Sequence, residues 1–132
     1  MAKADIQIEL RGGEVEGGLM RFEPGASLQG TLQVTPEGDI RCNHLYVRLQ
    51  WRTEGRGDRD EQRVAEVDVF QGTLQAGMPS SDGFHFTLPR EPWSYAGHYI
   101  NIIWEIAVIF SIPLSPDLRY HQPFILAPRR GP

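Results

Sequence analysis

The run PWSYAGHYINIIWEIAVIFSIP at 92–113 constrains the fold more than any other part of the chain, because it is the most hydrophobic stretch and prolines bound it. Its even positions are apolar without a break from 100 to 112, whereas its odd positions mix polar and apolar residues. A period of two is what a pleated strand with one buried face produces. The β-branched isoleucines and valine also disfavour a helix. We therefore predict a strand over 98–112, with Trp104 on its buried face.

A membrane-spanning segment is the main alternative for this run, and its composition argues against insertion into a membrane. A transmembrane helix needs about 20 consecutive apolar residues. Glu105 lies in the centre of the run, where a charge costs about 3 kcal/mol in a bilayer. The predicted strand is long enough to imply a bend or bulge. Its second face is partly apolar, with Ile103, Ala107 and Ile109, so we expect another segment or another molecule to cover it.

The rest of the chain repeats the alternation of the long strand. Further strand-like runs are found at 6–10, 27–34, 44–51, 62–75, 84–88 and 119–126. Glycine and proline separate them, and no window has a helical period. Short strands separated by turns are typical of a sandwich of two sheets. We predict an all-β fold, an antiparallel immunoglobulin-like β-sandwich of about seven strands, in a single domain over residues 1–132.

Composition limits which classes of partner we expect the chain to bind and in which compartment we expect it. The formal net charge of −4 argues against nucleic acid as a partner, because non-specific binding to a phosphate backbone rests on excess positive charge. Cys42 is the single cysteine, so no disulfide forms within the chain. The amino end has no apolar core of the kind that a signal peptide requires, which favours a cytoplasmic location.

Segments in the same order along the chain resemble the arrestin family. FEPGASLQGTLQV at 22–34 resembles its aromatic-x-Pro-Gly turn and the following strand, and CNHLYVRLQWRTEG at 42–55 resembles its next long strand. GFHFTLP at 83–89 is similar to a phenylalanine-rich strand that ends in Leu-Pro. The run at 92–113 resembles the family's Pro-x-Ser-Tyr-x-Gly-x-Tyr opening and terminal Ile-Pro. The resemblance spans about residues 5–126.

This resemblance implies a non-catalytic adaptor built from immunoglobulin-like sandwiches. Arrestin-like proteins carry two sandwiches in tandem, and the retromer cargo subunit and bacterial sporulation-control proteins share that architecture. The present chain has the length of one sandwich only. Receptor arrestins carry paired lysines on their first strand, where this chain has Asp5 and Glu9. The resemblance therefore implies the adaptor class without phosphate sensing, and bacterial relatives.

One row of side chains is our main candidate for partner binding. Alternate residues of a strand project to the same side, which places these residues in one outward row: His44, Tyr46, Arg48, Gln50 and Arg52. Tyrosine and arginine are enriched at interface hot spots. The alternative is a solvated face whose arginines pair with carboxylates across the strands. Trp93, which precedes the long strand, is a further candidate because we expect it to be exposed.

Other possible sites carry weaker signals. The same alternation places Cys42 and His44 on one face, but no third group that would orient a nucleophile is evident. The histidines are widely spaced, unlike the close pairs common in zinc sites, so we expect no metal and no cofactor. The tripeptide at 56–58 resembles the integrin-binding Arg-Gly-Asp sequence, but in a chain without an export signal we interpret it as a polar hairpin tip of mixed charge.

Three hypotheses about function follow from the sequence. The first is a cytoplasmic adaptor or scaffold that binds another protein, or forms a homodimer through its open sheet edges. The second is a sandwich that binds a small ligand such as a carbohydrate, with Trp93 and Tyr95 stacked on a sugar face. The third is a hydrolytic enzyme, which lacks a recognisable catalytic motif.

Overall fold

A computed structural model describes residues 3–55 and 60–129. Within these ranges the long strands are β1 (Ala4–Arg11), β4 (Ser27–Pro36), β5 (Ile40–Gly55), β6 (Glu61–Leu74), β7 (Ser80–Thr87), β9 (Ile100–Ser111) and β10 (Leu118–Leu126). The short strands are β2 (Glu14–Glu16), β3 (Leu19–Phe22) and β8 (Tyr95–Ala96). No helix in the described ranges has the length and apolarity to cross a membrane. The tripeptide at 56–58 lies outside the described residues.

The strands form two sheets, as the all-β prediction requires. The small sheet has the order β1-β4-β7, and the large sheet has the order β2-β3-β10-β9-β5-β6, with β8 paired to β9. Neighbouring strands are antiparallel except β3 and β10, which run parallel at Arg21 and Phe22. The long run of the sequence therefore becomes β9, at the centre of the large sheet.

The core lies between the two sheets and is built from one row of each long strand. Strand β9 contributes its even-numbered residues from Trp104 to Phe110, as predicted, whereas Ile100 is exposed. Trp104 is fully buried, and its Nε1 donates to the Pro92 carbonyl at 2.8 Å. The small sheet contributes the alternate residues of β4 and β7. There the ring of Phe84 lies directly over Gly30, its cross-strand partner. The period-two prediction of a buried face is confirmed.

The sequence predicted the long strands and missed the short ones. Strands β2 and β3 form a hairpin whose turn residues, Gly17 and Gly18, have φ of 59° and 85°. Glycine suits this turn because an L side chain is strained at positive φ. Strands of two to four residues are too short to show an alternation, so β2, β3 and β8 had no periodic signal.

A bulge in β5 corrects one expectation about its faces. The pairing of β5 with β6 shifts between Cys42 and Leu45, because β5 carries one extra residue there. An extra residue reverses which side the following side chains occupy. Cys42 is buried in the core, whereas His44 is partly exposed on the opposite side. The prediction that Cys42 and His44 share a face is therefore wrong.

Candidate interaction surface

The outward row predicted on β5 is present, on the face of the large sheet that points away from the small sheet. We call this face the outer face. It carries the residues of β5 that alternate with Leu45, Val47 and Leu49, which are all buried in the core. The row consists of His44, Tyr46, Arg48, Gln50 and Arg52. Strand β9 lies on one side of this row and β6 on the other.

The first half of the row is held by contacts with carboxylates on β6. Arg48 Nε donates to Glu66 Oε2 at 2.8 Å. His44 Nδ1 lies 2.7 Å from Asp68 Oδ2, and the His44 ring stacks on Tyr46 with centroids 5.2 Å apart. The cross-strand pairing of arginine with a carboxylate is the alternative that the sequence left open for this face. In this half of the row, the side chains are held in place by their neighbours.

Asp68 shows how the network affects ionisation. Burial on its own raises the pKa of its carboxyl, but hydrogen bonds from Gln71, His44 and the Leu45 amide outweigh burial and hold the pKa below its ordinary value of 3.8. Hydrogen bonds to the ionised form stabilise it, which lowers a carboxyl pKa. Asp68 is therefore a negatively charged anchor for the start of the row.

The second half of the row surrounds a buried carboxylate on β9. The side chain of Glu105 is only 1% exposed. Gln50 Nε2 donates to Glu105 Oε2 at 2.7 Å, and Arg52 Nε donates to Glu105 Oε1 at 2.9 Å. His121 Nδ1, from β10, lies 2.7 Å from Glu105 Oε2. We call these residues the Glu105 cluster: Gln50, Arg52, Glu105 and His121.

The Glu105 cluster was missed by reasoning from the sequence, although one signal was present. A glutamate in the middle of an otherwise apolar strand needs a partner, since an unpaired buried charge is costly. Which residues supply the partners depends on the register of β5 and β10 against β9, which the sequence does not reveal. Gln50 belongs to the predicted row, but it is 2% exposed and not an open contact residue.

The second face of β9 is covered in a different way from the one expected. Ala107 and Ile109 are 1% and 3% exposed. Tyr46 lies opposite Ile109 and Arg48 opposite Ala107 on the β5 side, and the long side chains of β10 flank them on the other side. No overlying segment is needed, because these large neighbours in the same sheet surround the small and medium apolar side chains of β9.

An apolar groove opens on the outer face where β10 separates from β9. Strand β10 pairs with β9 as far as Phe124 and then turns to pair with β3, while β8 takes its place beside β9. The groove has a volume of about 490 Å³. Its apolar lining includes Leu19, Tyr95, Ile102, Ile103, Pro123 and Ile125. The change of strand partners thus creates an apolar concavity open to solvent.

Trp93 lies beside this groove and not in the polar row. It is 52% exposed, and its Nε1 donates to the Arg90 carbonyl at 2.9 Å. It lines a shallow pocket of about 410 Å³ together with Tyr95 and Ile102, which also line the groove. The expected exposure of Trp93 is confirmed. The predicted residues therefore divide between a polar row and an aromatic rim.

The far wall of the groove carries another buried charge. Arg21, on β3, is buried and donates through Nη1 to Glu23 Oε1 at 3.0 Å and to the Ala127 carbonyl at 2.9 Å. Its Nη2 donates to Glu14 Oε2 at 3.3 Å. Hydrogen bonding to Glu23 outweighs burial and raises the pKa of Arg21 further. This side chain ties β2, β3 and the end of the chain together.

The residues considered for other chemistry do not assemble. Burial raises the pKa of the Cys42 thiol, which opposes formation of a nucleophilic thiolate. The β5 bulge directs His44 away from it. Within residues 3–55 and 60–129, no group of three or more histidine, cysteine, aspartate or glutamate side chains is arranged to hold a metal ion.

Comparison with known proteins gives a structural likeness and no sequence family. No protein-family model matches the chain, and no curated protein does. Among solved structures, the crystal structure of Spo0M, a sporulation control protein from Bacillus subtilis, superimposes with a TM-score of 0.69 at 18% identity. The fold is arrestin-like. The likeness covers 96% of this chain and 50% of Spo0M, so the chain spans about half the length of that protein.

Proposed function

We propose that this protein is a non-catalytic adaptor module that binds another protein through the outer face of its large sheet. The observation that carries the proposal is the open apolar groove with exposed aromatic side chains on its rim. Tyr95 is 55% exposed and Trp93 is 52% exposed, and both lie beside a concavity. Contiguous exposed apolar surface is unusual for a solvated face and is typical of binding sites.

The fixed charges beside the groove support the same proposal. Arg52 is already oriented by Glu105, so it loses little rotamer freedom when a partner binds. Aromatic anchors surrounded by oriented polar groups are the usual composition of an interface hot spot. The arrestin-like fold, whose members act through loops and sheet faces, agrees with this assignment. In this proposal the module is cytoplasmic and uses no cofactor.

The test is affinity capture from a cell lysate with variants of the aromatic rim. We expect Trp93→Ser/Tyr95→Ser to lose the bound protein without a change in the urea midpoint, because both side chains are exposed. Met78→Ser/Leu114→Ser is the matched control, since it removes exposed apolar side chains that do not line the groove. Equal capture by the wild type and both variants would refute the groove as the binding site.

Charge reversal of Arg48 and Arg52 is a poorer test of this proposal than the rim variants. Arg48 and Arg52 neutralise Glu66 and Glu105, so Arg48→Glu/Arg52→Glu would place like charges together at largely buried sites. A loss of binding by that variant would report a damaged fold. The rim variants avoid this ambiguity.

Self-association is a second way in which the chain can bind a protein. Strand β6 is an edge of the large sheet, and within the described residues only β5 pairs with it. Two register shifts interrupt β6 at Val64 and Val69. Bulges hinder the addition of a further strand at an edge. Light scattering at high micromolar concentration separates a homodimer from a monomer.

Carbohydrate binding is a second candidate function, favoured by the pocket that Trp93 and Tyr95 share. Aromatic rings bind sugars by stacking against their apolar faces. A thermal-shift screen with saccharides tests this, because a ligand that binds only the native state raises the melting temperature. A raised melting temperature that Trp93→Ser abolishes would replace the adaptor proposal with this one.

A further inference from the structure

We infer that the outer face binds an extended peptide segment with an apolar centre and a basic residue at each end, contributed by a partner protein. This inference rests on the proposed function and specifies the partner's chemistry. It comes from the charges around the apolar groove, which are predominantly negative at both of its ends.

The apolar groove continues directly into a polar cleft. Pro123 and Ile103 line the groove, and in the sheet Pro123 lies opposite Glu105 and Ile103 opposite Arg52. Glu105 and Arg52 in turn line a cleft of about 310 Å³. The residues that line this cleft are Arg52, Thr53, Glu54, Glu61, Glu105 and His121. One ligand can therefore occupy the groove and the cleft together.

The cleft has an excess of carboxylates. Among the described residues that line it, Glu54, Glu61 and Glu105 carry carboxylates and Arg52 carries a guanidinium. Arg52 is already engaged, with Nη1 bridged to Glu54 Oε1 at 2.6 Å and Nε bound to Glu105. Clefts lined by charge of one sign concentrate ligands of the opposite sign. The cleft thus favours a cationic side chain from the partner.

The opposite end of the groove is also acidic. Arg21 is flanked by Glu14 and Glu23, and Arg129 lies beside Glu23, to which its amide donates at 3.1 Å. With Glu16, the described residues at this end supply three carboxylates against two guanidinium groups. Glu16 lines the groove and is exposed at its rim. An acidic peptide, a nucleic acid or an anionic membrane would meet repulsion at both ends. An apolar segment flanked by lysine or arginine meets none.

The spacing of the strands sets the length of the segment. From β2, which carries Glu16, to β6, which carries Glu61, the large sheet has five steps of about 4.8 Å, or about 24 Å. An extended chain covers about 3.4 Å per residue, so about seven residues cross the face. The apolar residues belong over Ile103 and Ile125, and the basic residues belong near Glu16 and Glu61.

A second copy of this chain is a poorer occupant of the face. In a twofold dimer the same patch faces itself, so the carboxylates of the cleft would approach each other. The chain as a whole carries a formal net charge of −4. A dimer through this face would therefore strengthen with added salt, whereas the inferred complex weakens because its charges are opposite.

A displayed library of random octapeptides selected against the full chain tests the inference. We expect the enriched peptides to combine apolar residues with at least two lysines or arginines. For a selected peptide, fluorescence anisotropy is expected to show at least tenfold weaker binding when its basic residues are replaced by glutamate. Enrichment of acidic or uncharged sequences, or no enrichment at all, would overturn the inference.

Variants of the protein provide the matched test. Glu16→Lys/Glu61→Lys reverses exposed charges at the two ends of the face, and we expect at least tenfold weaker binding of the selected peptide. Asp5→Lys/Glu9→Lys on β1 of the small sheet makes the same change in net charge and is expected to change binding less than twofold. Equal weakening by both pairs would mean that only net charge matters and would also overturn the inference.

The two proposals fail in different ways. If Trp93→Ser/Tyr95→Ser loses a captured protein while Glu16→Lys/Glu61→Lys retains it, the adaptor function stands and the basic peptide is wrong. If the rim variant captures the same proteins as the wild type, the adaptor site itself is wrong. The urea midpoint of each variant is the control that distinguishes a loss of binding from a loss of folding.

Discussion

The outward faces of the two sheets differ in what they bury. On the small sheet, β1 alternates partly buried residues with exposed ones, and its outward side chains are Asp5, Gln7, Glu9 and Arg11. On the large sheet, the outer face buries Glu105 and Gln50 almost completely. Both sheets face the same core and the same solvent. The difference in burial therefore comes from the side chains that surround each residue on its outward face. It does not come from the position of either sheet in the sandwich.

The difference supports the proposed location of the binding site. Polar side chains on a solvent-exposed strand face, such as that of β1, are solvated by water and cost the fold little free energy. Burying a carboxylate such as Glu105 costs free energy unless all its partners are in place. Apolar side chains of similar size at the same sites often stabilise a fold equally well. This cost, borne next to an open apolar groove, supports the proposal that the outer face takes part in recognition.

The largest expected effect distinguishes a buried carboxylate from an exposed one. Glu105→Ala leaves Gln50 and Arg52 without their acceptor, so we expect the free energy of unfolding in urea to fall by about 3 kcal/mol. Asp5→Ala on the small sheet removes an exposed carboxylate, and we expect a change of about 0.5 kcal/mol or less. Similar losses for both variants would abolish the contrast between the faces.

The next effect concerns the inner side of the small sheet, where its tight packing lies. A Cβ at position 30 would lie 2.2 Å from the Phe84 ring, so we expect Gly30→Ala to destabilise the protein by about 2 kcal/mol. In a Phe84→Ala background the same substitution should cost less than about 1 kcal/mol, because the clash is gone. Thermal or urea unfolding of the four proteins measures this coupling, and equal costs in both backgrounds would contradict it.

A smaller effect compares one charge pair on each sheet. Arg48 and Glu66 are mostly buried and 2.8 Å apart, whereas Arg11 and Glu9 are exposed and 3.6 Å apart. Double-mutant cycles to alanine are expected to give a coupling of about 1 kcal/mol for the first pair and about 0.3 kcal/mol or less for the second. A larger coupling on β1 would reverse the assignment of the two faces.

The smallest effect is a pH dependence of opposite sign on the two sheets. The pKa of Asp68 is lowered on folding, so its contribution to stability is complete above the unfolded pKa and is lost as pH falls through the folded pKa. Burial raises the pKa of Asp82 on β7, so the folded state gains stability as pH falls through that raised pKa.

Urea midpoints at about pH 6 and about pH 3 test both directions. The deficit of Asp68→Asn relative to the wild type should shrink at the lower pH. The advantage of Asp82→Asn should shrink as well, because the wild-type carboxyl is then neutral. An Asp68→Asn deficit that grows at low pH would contradict the assigned sign.

Features that repeat along the chain, such as the alternation of buried residues, were predictable from the sequence. Features that depend on the register between strands were not. The alternation that surrounds Trp104 identified β9 and its buried face, because burial of one face leaves a period of two. The bulge beside Cys42 left no such trace, since a single extra residue does not change composition. The partners of Glu105 come from strands far apart in sequence, so only the pairing of those strands reveals the cluster.

The groove was equally hidden, because it forms where β10 changes its partner from β9 to β3. The exposed aromatic residues on its rim were partly predictable. Trp93 stands outside the alternation of the long strand, which marked it as a surface residue. Its place beside Tyr95 and Ile102 depends on the pairing of β8, a strand of two residues.

The most direct test of the account is amide chemical-shift mapping of the labelled protein during titration with a peptide selected for binding. We expect the largest shifts on β8, on the first half of β9 and on the end of β10. Shifts concentrated on β1, β4 and β7 would contradict it, because the contact face would then be the solvated side of the small sheet.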